Sequence, residues 1–166
     1  EAISRNNGTA LSVAIASLGF LHLWDIENGP NMLDKYIQSP QEHAKMGALT
    51  AVGIVSAAVR SEFDPGLAIL REYFENNKTP INILVGAIFG LSMAYAGSAN
   101  EDVFELLQEN VQHSDPRVKS YCILGIGLLY AGTCDDKALD KFTEFVLEIP
   151  TDDSFKKFVP LCALGI

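Results

Sequence analysis

The sequence predicts an all-α protein, an α-solenoid of helix-turn-helix repeats. Three observations predict it. Apolar stretches bearing glycine return at a near-constant step, amphipathic helical segments lie between them, and no alternating β-branched run competes.

The apolar stretches align on Gly19, Gly53, Gly90, Gly125 and Gly165, with steps of 34, 37, 35 and 40 residues. The two middle copies agree most closely: Gly-Leu-Ser-Met-Ala-Tyr-Ala-Gly-Ser from Gly90 matches Gly-Ile-Gly-Leu-Leu-Tyr-Ala-Gly-Thr from Gly125. Each repeat then reads as two helices. The first, as over 81–96 or 117–131, is apolar nearly all round and should be buried on most sides. It closes on Ala-Gly at 96–97 and 131–132, which suits a left-handed C-terminal cap. The second is amphipathic and is expected over 31–38, 65–76, 101–112 and 137–148. Asp64-Pro65 and Asp115-Pro116 each set a capping side chain before a first-turn proline.

Glycine in a helix costs about 1 kcal/mol relative to alanine. Its recurrence at one register therefore needs a compensating gain, and close approach of neighbouring first helices supplies one. Tight first helices beside bulkier second ones should curve the solenoid strongly. The repeats divide the chain at about 8–39, 41–76, 80–112, 115–149 and a partial 154–166, roughly four and a half in a single body. The chain runs out inside an apolar stretch at Leu164-Gly165-Ile166, so it reads as a piece of something longer.

Composition narrows the function. Of 166 residues, 48% are hydrophobic and only 20% charged, with 12 basic against 21 acidic side chains and a net charge of −9. Nucleic acid and anionic membrane surfaces attract clustered Lys and Arg, so neither is expected as a partner. No charge-free apolar run reaches the ~18 residues of a bilayer span. Cys122, Cys134 and Cys162 are too scattered for a disulfide framework and suit a reduced compartment, cytoplasm and nucleus.

Catalytic patterns are absent. There is no phosphate loop, no His-Glu-x-x-His, no Cys-x-x-Cys and no Gly-x-Ser-x-Gly, so neither an enzyme nor a cofactor or metal is expected. His22, between Leu21 and Leu23, reads as a half-buried core residue. Asp135, Asp136 and Asp140 lack the calcium-loop glycine and read as a solvated helix start. A two-carboxylate glycosidase at Asp135/Asp136 would need polar residues lining a sugar cleft, and the glycine-rich helices offer none. Trp24 and Tyr36, at helical spacing, read as core rather than as a peptide groove.

The Phe/Leu-Gly-x-x-x-Ala/Leu-Tyr-Ala-Gly-Ser/Thr unit resembles the proteasome/cyclosome repeat. Residues 18–24, Leu33-Asp-Lys-Tyr36, Gly47-Ala-Leu49, Ala96-Gly-Ser98 and Tyr130-Ala-Gly-Thr-Cys134 carry a narrower resemblance. It is to the ubiquitin-receptor scaffold subunits of the proteasome regulatory-particle base. The resemblance covers nearly the whole chain. It implies a segment of a closed toroid with two helix rings and no catalysis, packed against proteasomal ATPase subunits. It also implies docking of ubiquitin, of the ubiquitin-like domains of shuttle proteins, and of a deubiquitinase.

Charge shows where such a partner would sit. Residues 100–150 hold ten acids and four bases. On a helical wheel, Val103, Leu106, Leu107 and Val111 share one side of the third second-type helix, opposite Glu101, Glu105, Gln108 and Glu109, with Asp102 adjoining. On the fourth, Ala138, Phe142, Phe145 and Val146 face inward, and Asp140, Thr143, Glu144, Leu147 and Glu148 outward, after Asp136 in the preceding turn. An acidic face with one exposed leucine suits an apolar patch rimmed by basic residues, the ubiquitin type of surface. By resemblance, Glu144 and Glu148 match acidic positions of the family's docking site, whereas Lys137 stands where the family has an acid. Two alternatives are plainer: carboxylates that merely solvate the surface, and a generic helical-repeat adaptor for a peptide or another proteasome subunit.

Overall fold

The structure, a computed structural model, describes residues 3–59, 64–76, 78–133, 140 and 143. After a 3-10 turn at Ile3–Arg5 come α1 (Gly8–Leu21), α2 (Gly29–Ile37), α3 (Glu42–Val55), α4 (Pro65–Glu75), α5 (Ile81–Ala94), α6 (Glu101–Val111) and α7 (Pro116–Leu129). Among the described residues there is no strand. The fold is the all-α repeat solenoid that the sequence predicts. It divides into two compact units, Glu1–Ala94 and Tyr95–Ile166.

In the first unit, α3 lies between α1 and α5, while α2 packs on α3 and α4 chiefly on α5. Each amphipathic helix thus rests on the apolar helix that follows it, which the short links 38–41 and 76–80 favour. In α3, Ala44 and every residue from Gly47 to Val55 are buried.

Missing side chains let these helices come close. A Cβ on Gly53 would run into the backbone of Gly90, and one on Gly90 would meet the carbonyl oxygen of Leu49. A Cβ on Gly19 would lie 2.8 Å from the Ala51 carbonyl oxygen, and one on Gly86 2.6 Å from that of Met46. The recurring register is therefore a packing register in this unit, where backbone contact over the whole crossing offsets the helix cost of glycine. Thr50 fits the same seam by turning its hydroxyl to the Met46 carbonyl at 3.1 Å. Gly125 is buried in α7, and Gly165 lies outside the described residues.

Three expectations about the burial and bounds of helices need correction. The helix α1 is not buried on most sides: Val13, Phe20 and Leu21 are 67%, 63% and 78% exposed. Among the apolar helices of this unit only α3 covers it, whereas α3 has a neighbour on each side. The helix α2 starts at Gly29 rather than 31, because Pro30 takes the first turn that a missing N–H suits. The apolar helices also end earlier than 96 and 131, at Ala94 and Leu129.

The left-handed residue comes three positions past each of these ends. Gly97 has φ 69° and Gly132 φ 75°, as the Ala-Gly pairs predict, but the same place is filled by Trp24 at 69° and Ala58 at 59°. The reversal turns a backbone N–H onto the end of the next apolar helix. Trp24 donates to the Val55 carbonyl at 3.0 Å, Ala58 to that of Ala94 at 3.2 Å, and, in the second unit, Gly97 to that of Leu128 at 2.8 Å. The turns at Trp24 and Ala58 so supply a donor to the last carbonyl of the neighbouring helix, whereas the Leu128 carbonyl also accepts from the Ala131 N–H at 3.2 Å.

In the second unit α6 packs on α7. Val103, Phe104, Leu107 and Val111 are buried with Val118, Cys122, Ile126 and Leu129. Phe104 meets Tyr130 edge to face, with ring centroids 5.9 Å apart. Leu106, expected inside, is only half-buried, and Phe104 takes that place. Burial without a nearby charge pushes the Cys122 thiol far up, so it is an inert apolar side chain.

Candidate functional site

The α6 half of the acidic face is built from its first residue. Asn100 caps the helix, its side-chain oxygen accepting from the Val103 N–H at 3.0 Å. Glu101 and Asp102 follow in the first turn, where the helix dipole favours negative charge. Burying Val103, Phe104, Leu107 and Val111 against α7 fixes the rotation of the helix. Glu101, Asp102, Glu105, Gln108 and Glu109 then stand exposed together, one turn apart. Asn110 folds its amide back onto the Leu106 carbonyl at 2.9 Å. The sequence of α6 holds four acids and no base.

The ion pairs found among the described residues leave these four carboxylates out. Arg117, at the start of α7, is held instead by Asp115, with Nε 3.1 Å from Oδ1 and Nη2 3.0 Å from Oδ2. The same Oδ1 caps the helix by accepting the Arg117 N–H at 2.8 Å. The guanidinium hydrogen bonds hold the Asp115 carboxyl below the usual carboxylate range, outweighing the opposing effect of burial. With Arg117 so engaged, the α6 face keeps its negative charge.

Of the other candidates, Asp140 is helical and exposed, as is Thr143. Asp136, Glu144, Leu147 and Glu148 lie outside the described residues, as do Asp135, Lys137 and the inward positions 138, 142, 145 and 146. Among the described residues no group of three His, Cys, Asp or Glu side chains is placed to hold a metal, and no helix is long and apolar enough to cross a membrane.

Trp24 corrects the expectation of a core aromatic. It is 67% exposed in its left-handed turn, its indole N–H donating to the Ala57 carbonyl at 3.2 Å. Tyr36 is half-buried, with the Lys35 ammonium 4.9 Å from its ring centroid. His22 is half-buried as expected, its Nδ1 3.9 Å from the Asp25 carboxylate. A groove between α2 and α4 has no signature in the sequence. Its lining comes from three helices whose relative placement no local pattern encodes.

No protein-family model matches the chain. Curated relatives do. The 26S proteasome non-ATPase regulatory subunit 2 of Dictyostelium discoideum is 32% identical over 166 residues, 98% of this chain and 18% of the relative. The 26S proteasome regulatory subunit rpn1 of Schizosaccharomyces pombe is 34% identical over 166 residues, 99% of this chain and 18% of the relative. The regulatory subunit rpn-1 of Neurospora crassa is 32% identical over 161 residues, 92% of this chain and 17% of the relative. The chain thus spans less than a fifth of the length of these relatives. Over nearly its whole length it is a homologue of a segment of the 26S proteasome non-ATPase regulatory subunit 2 and Rpn1 proteins, the group that its Ala-Gly-turn repeat resembles.

Proposed function

We propose that the chain is a non-catalytic scaffold segment of the proteasome regulatory particle. It docks ubiquitin, and the ubiquitin-like domains of shuttle proteins, on the acidic face of α6 and the stretch 137–148. The observation that carries this reading is the outward set on α6. Glu101, Asp102, Glu105, Gln108 and Glu109 are exposed on one helix without a basic residue, while the opposite side is locked into the unit. The names of the relatives support the setting, a regulatory subunit distinct from the ATPases.

Leu147 would supply the apolar contact, with Glu144 and Glu148 and the α6 carboxylates meeting basic rim residues of the partner. Such rim pairs act mainly on association rate and specificity. A deubiquitinase and the ATPase subunits are further partners in this setting, in the cytoplasm and nucleus. Titration of the chain with monoubiquitin and with an isolated ubiquitin-like domain tests the reading. Amide shifts clustered on 101–112 and 137–148 are expected, and they should be lost in the Glu144→Arg/Glu148→Arg variant. Unchanged affinity in that variant would remove the docking face and leave a repeat adaptor without a ubiquitin site.

A further inference from the structure

A recess lies in the first unit, between the amphipathic helices α2 and α4. Its volume is about 490 Å³, within the range of clefts that hold ligands. Asn31 and Asp34 of α2, with Gln38 capping its end, form one wall, and Glu72 and Tyr73 of α4, with Asn76 capping its end, the other. Asn31, Asp34 and Gln38 follow helical spacing, as do Glu72 and Asn76, with Tyr73 beside them. Ile37 and Ile69 add apolar surface, and Lys45 of α3 completes the lining.

The chemistry of the two walls matches. Each presents one exposed carboxylate, Asp34 or Glu72, and the ion pairs found among the described residues use neither. Lys45 answers one of the two charges, so the recess stays negative. Burial, then the charge of Glu72, pushes the Tyr73 phenol above its usual value, so it stays protonated and able to donate at neutral pH. The amides of Asn31 and Gln38 can both donate and accept, as the backbone of an extended peptide requires. Asn76 already accepts the Lys78 N–H at 3.0 Å and keeps its amide donors.

We infer that the α2/α4 groove binds an extended, arginine-bearing peptide segment of a partner protein, with the guanidinium between Asp34 and Glu72. The aliphatic stem of the arginine lies on Ile37 and Ile69, and its planar head stacks on Tyr73 while its N–H groups reach both carboxylates. Phosphate-bearing ligands are disfavoured by the same two charges. This site shares no residue with the α6 face, so it stands or falls apart from ubiquitin docking.

The test titrates the full chain with a short Gly/Ser peptide carrying a central arginine pair, and with its lysine and glutamate analogues. Saturable binding is expected for the arginine peptide, weaker for lysine, with amide shifts at Asp34, Gln38 and Tyr73. Asp34→Asn and Glu72→Gln lie on exposed helix surface and should each weaken binding by about three-fold or more, less so at high salt. Glu109→Arg, on α6, should leave it unchanged. Equal shifts with the glutamate peptide, no saturable binding, or full affinity in the Asp34→Asn/Glu72→Gln double variant would overturn the assignment.

Discussion

The backbone of Gly53 in α3 lies against that of Gly90 in α5, so closely that neither helix has room for a side chain between them. The neighbour at this point is main chain, which cannot turn aside as the tip of a flexible side chain can. Gly53→Ala should therefore destabilise the chain by about 3 kcal/mol, despite the better helix propensity of alanine. Chemical denaturation measures it, and an unchanged or raised midpoint would show that α3 and α5 can separate at low cost.

Ala58 makes the opposite case. It holds φ 59° in the turn after α3, a conformation that costs a residue with a Cβ about 1 kcal/mol and glycine far less. Ala58→Gly should stabilise by about 0.5 kcal/mol after the added freedom of the unfolded chain is allowed for. The hydrogen bond to Ala94 is a backbone one and survives the change. A fall in the thermal midpoint would contradict this.

Asp115 gives a pH dependence whose sign is fixed. Its carboxyl is held below the ordinary range in the folded chain, first by hydrogen bonds from Arg117. The ionised group thus contributes stability that is present above the unfolded carboxylate value and lost as pH falls through the lower folded one. Arg117→Ala should cost about 0.5 kcal/mol at neutral pH. The difference from the parent chain should shrink towards zero in acid, once Asp115 is protonated in both. Denaturation midpoints across a pH series read this directly, and a difference independent of pH would assign the role of Arg117 to packing instead.

For the acidic face, Glu105→Arg/Glu109→Arg should keep the helical circular dichroism, since both side chains are exposed. It should lower ubiquitin affinity by roughly ten-fold, most of it in the association rate and most at low salt. Stopped-flow mixing at two ionic strengths separates this from a general loss of binding, which would be seen as faster dissociation alone.

How far the sequence spoke depends on whether the information was local. The caps at Asp64 and Asp115 were legible because a carboxylate, a proline and a helix start occupy adjacent positions; Asp64 does accept the Leu67 N–H at 2.9 Å. The glycine register was legible because repetition exposes a constraint that no single helix reveals. Gly97 and Gly132 announced their turns by residue type, whereas Trp24 and Ala58 hold the same conformation without the residue that usually marks it. The exposure of Trp24 and of the Phe20 side of α1 was hidden for another reason: apolar character shows what a helix can bury, not how many neighbours it finds. On α6 the wheel placed the acids correctly. It missed Phe104, whose burial depends on the Tyr130 ring beyond the end of α7.

The bonds from Trp24 to Val55, from Ala58 to Ala94 and from Gly97 to Leu128 run forward, one apolar helix ahead of the turn that makes them. Repeats counted along the chain and pieces that come away cleanly are consequently out of phase. A deletion that removes α3 and α4 together would take the Ala58 donor from α5 and leave Trp24 facing a helix end it was not cut to fit. Excising an amphipathic helix with the apolar one after it, 65–94 for example, gives up the Ala58 bond to Ala94 but leaves each remaining amphipathic helix on the apolar helix it packs against, and shortened or grafted variants should be phased that way.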